Sequence, residues 1–182
     1  MSKTLYISAG HSNSDPGAVN AKLNLREADL TRGLRNLVVE KLTWMGATVR
    51  SDGTGTQNNE RNTAIEEAAK CDGLKLDIHF NAGVEAAQGV EAFSDASEKA
   101  LAQKLAKAVA DVLGSPLRGD AGWKGRTESQ HGSRGLAWLD RLPRSLLLEV
   151  CFISNPREIQ TYLAKMDAVA QAIADILFKH NQ

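Results

Sequence analysis

The chain has little cysteine, no net charge and no long apolar run. Two cysteines, Cys71 and Cys151, stand among 182 residues. That excludes a disulfide scaffold, and both are expected to be free thiols in a reducing compartment or an inert core. Lys plus Arg and Asp plus Glu each number 22, for a formal net charge of +0. With no excess of cation to displace counterions, a nucleic-acid partner is not expected. No stretch approaches the roughly 18 apolar residues of a membrane span, so no membrane insertion is expected. The apolar run near the N-terminus is short and stops at Gly10-His11, with no h-region of a signal peptide. The expectation is synthesis in the cytoplasm without an export signal of its own. Internal repeats and low-complexity segments are also lacking.

What remains is ordinary globular composition, 42% apolar and 24% charged, in a length that suits one domain spanning 1–182. Such a chain can bury a core without disulfide or metal staples. Apolar spacing alternates between strand and helix. Residues 4–9, 47–50, 74–81, 89–94 and 145–153 read as strands, the last (SLLLEVCFI) being the most apolar. Residues 27–45, 60–70 and 96–113 read as helices. A C-terminal helix or helix pair follows Asn155-Pro156, which look like an N-cap and an N1 proline. Between 114 and 144 the periodicity fades, five glycines intervene and the charge turns basic, as in a long surface or substrate-side loop. The alternation predicts an α/β domain with a mostly parallel central sheet flanked by helices on both faces. Ligands of such sheets bind beyond the carboxyl ends of the strands.

Polar groups fall at those ends. His11 follows the first strand, His79 lies late in the third, Glu27 opens the first long helix, and Glu149 interrupts the last strand. Three of them have an ordinary structural explanation: a loop histidine, a satisfied core histidine, and an acid favoured by the helix dipole. Glu149 is harder to explain, because a carboxylate among Leu146, Leu147, Leu148, Val150 and Phe152 is strongly desolvated unless paired or near a metal. Period-two alternation places Leu147, Glu149 and Cys151 on one face of that strand. Two histidines and a carboxylate with one open position form a common catalytic zinc set, and a second carboxylate is then needed as proton carrier. The four residues fit in number and type, but they are scattered rather than gathered in a compact motif.

Several short segments carry more information together. They are Ser8-Ala9-Gly10-His11-Ser12, Asp15-Pro16-Gly17-Ala18, Glu27, Ile78-His79-Phe80-Asn81-Ala82, Gly89-Val90-Glu91-Ala92-Phe93 and Leu148-Glu149-Val150-Cys151-Phe152-Ile153-Ser154-Asn155-Pro156. In this order, over nearly the whole chain, they resemble the zinc-dependent N-acetylmuramoyl-L-alanine amidases of the amidase_3 type, found in bacterial autolysins and phage endolysins. The resemblance implies one zinc ion held by His11, Glu27 and His79, with Glu149 as the catalytic carboxylate. It implies a sheet of about six strands. It implies hydrolysis of the amide between the lactyl group of N-acetylmuramic acid and L-alanine of the stem peptide. Arg61-Asn62 resemble an Arg/Asn pair that often precedes the second histidine strand. The sequence departs from the pattern at Ser8-Ala9, where Asp-Pro is frequent, at Asp77, where Ser is frequent, and at Cys151, where Gly is frequent. Asp77, two residues before His79, could partner its imidazole. Cys151 could be a soft ligand or a small buried residue.

Candidate substrate contacts are Asn81, Trp123, Arg126 and His131, the last three in the glycine-rich basic segment. The implied setting is a monomeric, endolysin-like enzyme without a separate wall-binding domain. Its substrate is peptidoglycan, and it reaches the cell wall or periplasm after release with the help of a holin. Two rival readings are a zinc peptidase cutting within the stem peptide and a non-catalytic peptidoglycan-binding module.

Overall fold

The computed structural model describes residues 3–128 and 136–181. Its strands are β1 (Leu5–Ala9), β2 (Val19–Asn20), β3 (Leu25–Arg26), β4 (Val49–Ser51), β5 (Lys75–Asn81), β6 (Glu91–Ser94), β7 (Trp123–Gly125) and β8 (Ser145–Phe152). Its helices are α1 (Glu27–Trp44), α2 (Arg61–Ala68), α3 (Lys99–Leu113), α4 (Ala137–Arg141) and α5 (Pro156–His180). Six strands form one sheet in the order β4-β1-β5-β8-β6-β7, and β2 pairs with β3 in a separate small ribbon. β4, β1, β5 and β8 are parallel, whereas β6 runs antiparallel to β8 and β7 parallel to β6. The expected α/β class and mostly parallel sheet are therefore present.

The sheet has two unequal faces. Leu5, Ile7, Leu76, Ile78, Leu146, Leu148 and Val150 pack with α1, α3 and α5 in the larger core. On the opposite face Tyr6, Phe93 and Leu147 pack with Ile65 and Ala68 of α2 and Trp138 and Leu139 of α4. That second layer is short and leaves the carboxyl edge of the sheet open.

The C-terminal segment is one helix of 25 residues, begun by Pro156 and capped by the Asn155 side chain, which accepts from the N–H groups of Arg157 and Glu158. The segment expected as one loop contains β7 and α4. At three and five residues they are too short to show a period. One alternation also fails. His79 pairs with Glu149, but Asn81 pairs with Phe152, so β8 carries a bulge. The bulge turns Cys151 into the larger core with Val150 rather than onto the face of Glu149. Cys151 is thus no soft ligand beside the site. Both cysteines are free and buried.

Inside the fold, Arg35 of α1 and Asp52 after β4 form a fully buried ion pair of 2.6 Å. The second Asp52 oxygen accepts from Ser8 Oγ and the Ala9 N–H, each at 3.0 Å. Arg35 also donates to Gln57 O at 2.8 Å and to Asn58 Oδ1 at 3.3 Å. Burial pushes the Asp52 carboxyl up to about 6 even with the guanidinium beside it. Removing one partner of such a pair strands the other. Arg35→Met is expected to lower unfolding stability by about 3–5 kcal/mol in urea titration, and Arg35→Met/Asp52→Leu to recover part of the loss. A single variant as stable as the parent would contradict this role.

Candidate active site

Three chain segments meet at the open carboxyl edge. β1 runs into Gly10 and His11, β5 carries His79, and Glu27 is the first residue of α1. The Glu27 carboxylate lies between the two imidazoles, with Oε2 3.0 Å from His11 Nε2 and Oε1 3.1 Å from His79 Nδ1. It also accepts from two backbone N–H groups, Ala18 at 2.9 Å and Phe80 at 3.0 Å. The nitrogens and carboxylate oxygen that His11, Glu27 and His79 can offer a metal all lie within 4.8 Å of one another.

The far nitrogen of each ring is also occupied. His11 Nδ1 lies 2.9 Å from Asp15 Oδ2, and His79 Nε2 lies 3.1 Å from Asp77 Oδ2. A carboxylate on the outer nitrogen fixes the tautomer and turns the inner lone pair toward a metal. The backbone is shaped for this arrangement. His11 adopts φ +69°, a left-handed conformation unusual for a side chain other than glycine. Asn58 Nδ2 holds its carbonyl at 2.8 Å. Gly17 has φ +63°, and a Cβ there would sit 2.8 Å from Glu27 Oε2. At Gly10 a Cβ would collide with the His79 ring.

Glu149 stands opposite His79 on one side and Glu91 on the other in the strand register. It is 7% exposed, and its Oε2 is buried with no hydrogen-bond partner among the described residues. Glu91 is also buried but compensated: Arg118 Nε lies 2.8 Å and Lys124 Nζ 2.7 Å from its Oε2. Its other oxygen accepts from Asn81 Nδ2 at 2.7 Å. His11, Glu27, His79, Asp77, Asn81 and Glu149 share one cleft of about 620 Å³. Its lining also includes the apolar cluster Phe93, Leu136, Trp138 and Leu147.

Residues 5–179 match the family model Amidase_3, N-acetylmuramoyl-L-alanine amidase. The chain belongs to this family. A candidate N-acetylmuramoyl-L-alanine amidase from Neisseria meningitidis is 38% identical, with a TM-score of 0.83 over 96% of this chain and 93% of that one. The catalytic domain of CwlV, an N-acetylmuramoyl-L-alanine amidase from Bacillus (Paenibacillus) polymyxa var. colistinus, is 25% identical, with a TM-score of 0.79 over 98% and 97% of the two chains. The Bacillus subtilis protein YqiI is 35% identical over 120 residues, 64% of this chain and 56% of YqiI, so the match spans little more than half of that relative.

The structure of this amidase family member brings His11, Glu27, His79, Asn81 and Glu149 into one cleft and leaves other candidates elsewhere. Trp123 is outside it, its Nε1 donating to Ser94 Oγ at 3.0 Å and its ring covered by Lys99 Nζ at 4.5 Å. Arg126 is outside too, held 3.3 Å from Asp95 and 3.5 Å from Asp140. His131 lies outside the described residues. Sequence reasoning gave no role to Asp15 or Glu91. The only available signals were an acid four residues after His11 and an acid within a strand. Asn62 accepts from Arg141 at 3.2 Å and so ties α2 to α4.

Electrostatics follow from these contacts. Burial pushes Glu27 up, but the two imidazoles outweigh it and hold its carboxyl well below the usual range. Burial likewise lowers both histidines, yet Glu27 and Asp15 around His11, and Asp77 and Glu27 around His79, carry them above the ordinary value. Glu149 is pushed up to about 8 by burial, opposed by His79 and assisted by the Glu27 and Glu91 charges.

Two outcomes are expected. Glu27's contribution to stability is present above about pH 4.3 and is lost as pH falls. The histidine contribution is present below about pH 6.5 and is lost as pH rises through the folded value. The penalty for ionising Glu149 builds from about pH 4.3 to about pH 8. The metal-free protein should therefore be most stable near about pH 5, with Tm falling toward about pH 9. Added divalent metal, which displaces imidazole protons, should raise Tm most at the alkaline end; a flat Tm would contradict the coupling. Asp77→Ala should weaken divalent-metal affinity about 10–100-fold in competition with a fluorescent chelator, and unchanged affinity would remove Asp77 from the site.

Proposed function

We propose that this chain is a zinc amidase that hydrolyses the bond between the lactyl carbonyl of N-acetylmuramic acid and the stem-peptide L-alanine. His11, Glu27 and His79 are the zinc ligands and Glu149 is the catalytic carboxylate. The observation that carries this reading is Glu149, a buried carboxyl with an oxygen unpartnered among the described residues, beside a His/Glu/His set in one cleft. A wall-binding module needs no buried proton carrier of this kind.

The residues present fit zinc. Two imidazoles and one carboxylate are a common catalytic donor set, and both outer ring nitrogens face carboxylates as such ligands require. Zinc in such a set supplies a Lewis acid that polarises the scissile carbonyl and acidifies water at neutral pH.

The chain's own residues do the rest. Glu149, poised near neutrality by burial, takes the proton of the attacking water on its carboxylate. The resulting carboxyl then gives that proton to the departing alanine nitrogen. Asn81 is positioned by its bond to Glu91, and Glu91 by Arg118 and Lys124, so the polar wall beside Glu149 is rigid. The apolar residues of the lining, Phe93, Leu136, Trp138 and Leu147, lessen the water around the reacting amide. We take the whole domain as one catalytic unit, a monomer acting on the wall as an endolysin does, with a holin giving access.

Sacculi digested by the zinc-loaded protein should release new alanine amino termini paired with intact lactyl-muramic acid, and chelation should abolish them. Termini of another residue would favour a peptidase. Glu149→Gln should keep its zinc while kcat falls about 10²–10⁴-fold. His79→Ala should lose the metal itself. Normal turnover in the first variant or full zinc content in the second would overturn the assignment.

A further inference from the structure

Apart from the two histidines, the charged residues lining the cleft are acidic, with one exception. Its described lining includes Asp15, Glu27, Glu60, Asp77 and Glu149, but only one lysine or arginine, Arg61. The acids are engaged within the site. Asp15 and Asp77 face the histidines, and Glu60 Oε1 accepts from Ser12 Oγ at 2.8 Å and Ser14 Oγ at 2.6 Å. Arg61 is exposed, and no carboxylate among the described residues lies within ion-pair distance, 4.0 Å, of its guanidinium. Its neighbour Asn62 cross-links two helices, and Arg61 does not.

Local folding does not call for a cation here. Arg61 is the first residue of α2, whose first turn contains no acid. A positive charge at that end opposes the helix dipole. An arginine disfavoured locally, unpaired and lining the cleft points to a role toward substrate.

We propose that Arg61 is a specificity residue that binds a free carboxylate on the peptide side of the substrate. The inference rests on the amidase reading and extends it. The lactyl side of the scissile amide is uncharged. The residue after alanine in the stem is an acid linked through its side-chain carboxyl, so its α-carboxylate is either free or amidated. Apart from the metal-binding histidines, the charged side chains lining the cleft are five acids and Arg61, so the guanidinium is the one group there that can receive a free carboxylate, through two parallel N–H donors, without taking a metal ligand's place. The carboxamide gains nothing comparable. Arg61 therefore selects stems whose second residue is not amidated.

The test uses two disaccharide muropeptides that differ only in this carboxylate or carboxamide, each digested by the zinc-loaded full chain. The parent should favour the carboxylate about tenfold in kcat/KM, expressed in KM with similar kcat. Arg61→Met should raise KM for the carboxylate substrate until the two are cut alike, and Arg61→Lys should restore part of the preference. Zinc content and Tm of both variants should match the parent, which separates substrate recognition from a folding defect. Equal use of the two substrates by the parent, or a preference that survives in Arg61→Met, overturns the proposal. Absence of alanine amino termini from either substrate overturns the amidase reading itself, a distinct result.

Discussion

The carboxylate of Glu27 is the contact on which the site depends. It is buried at the first turn of a helix, accepts from the backbone of two other segments and meets an imidazole on each side. The end of β1, the β2–β3 ribbon, β5 and α1 are thereby held to one side chain. An isolated carboxylate in that position would be strongly disfavoured, so its stability is tied to the two rings. A divalent metal would replace the imidazole protons that balance it in the free chain.

The buried acids of this sheet edge differ in their partners. Asp52 has Arg35, Glu91 has Arg118 and Lys124, and Glu27 has two histidines. Among the described residues Glu149 has no cation of its own and retains an unpartnered oxygen. Its neighbours across the sheet are His79 and the already satisfied Glu91. Burial without a dedicated partner brings a carboxyl toward neutrality, which suits proton transfer in both directions. The neighbouring charges are fixed so that one group remains free to titrate.

Much of this was legible along the chain. The five expected strands and the long helices follow from apolar periodicity, and Glu149 stood out because a charge inside Leu146-Leu147-Leu148 and Val150 needs a reason. The β2–β3 ribbon, β7 and α4 were not legible, since two to five residues show no period. Arg35 was passed over because it sits one position along from the apolar stripe of Leu34 and Val38, where a long cation reads as solvated. Its burial depends on Asp52, which arrives from a turn-rich loop. Trp123 and Arg126 looked available from a glycine-rich segment, yet both are taken up by neighbours across the fold.

Sequence alone determined the α/β alternation, the polar residues at strand ends and the family to which they point, because periodicity and residue type are local properties. Tertiary structure decided which nitrogen of each histidine faces Glu27 and that Asp15 and Asp77 occupy the others. It decided that a one-residue bulge removes Cys151 from the site, and that Arg61 is the one lysine or arginine in the described lining of the cleft. These depend on register and on the convergence of segments far apart in the chain. Burial and pairing belong to the surroundings of a side chain, and folding alone supplies those surroundings.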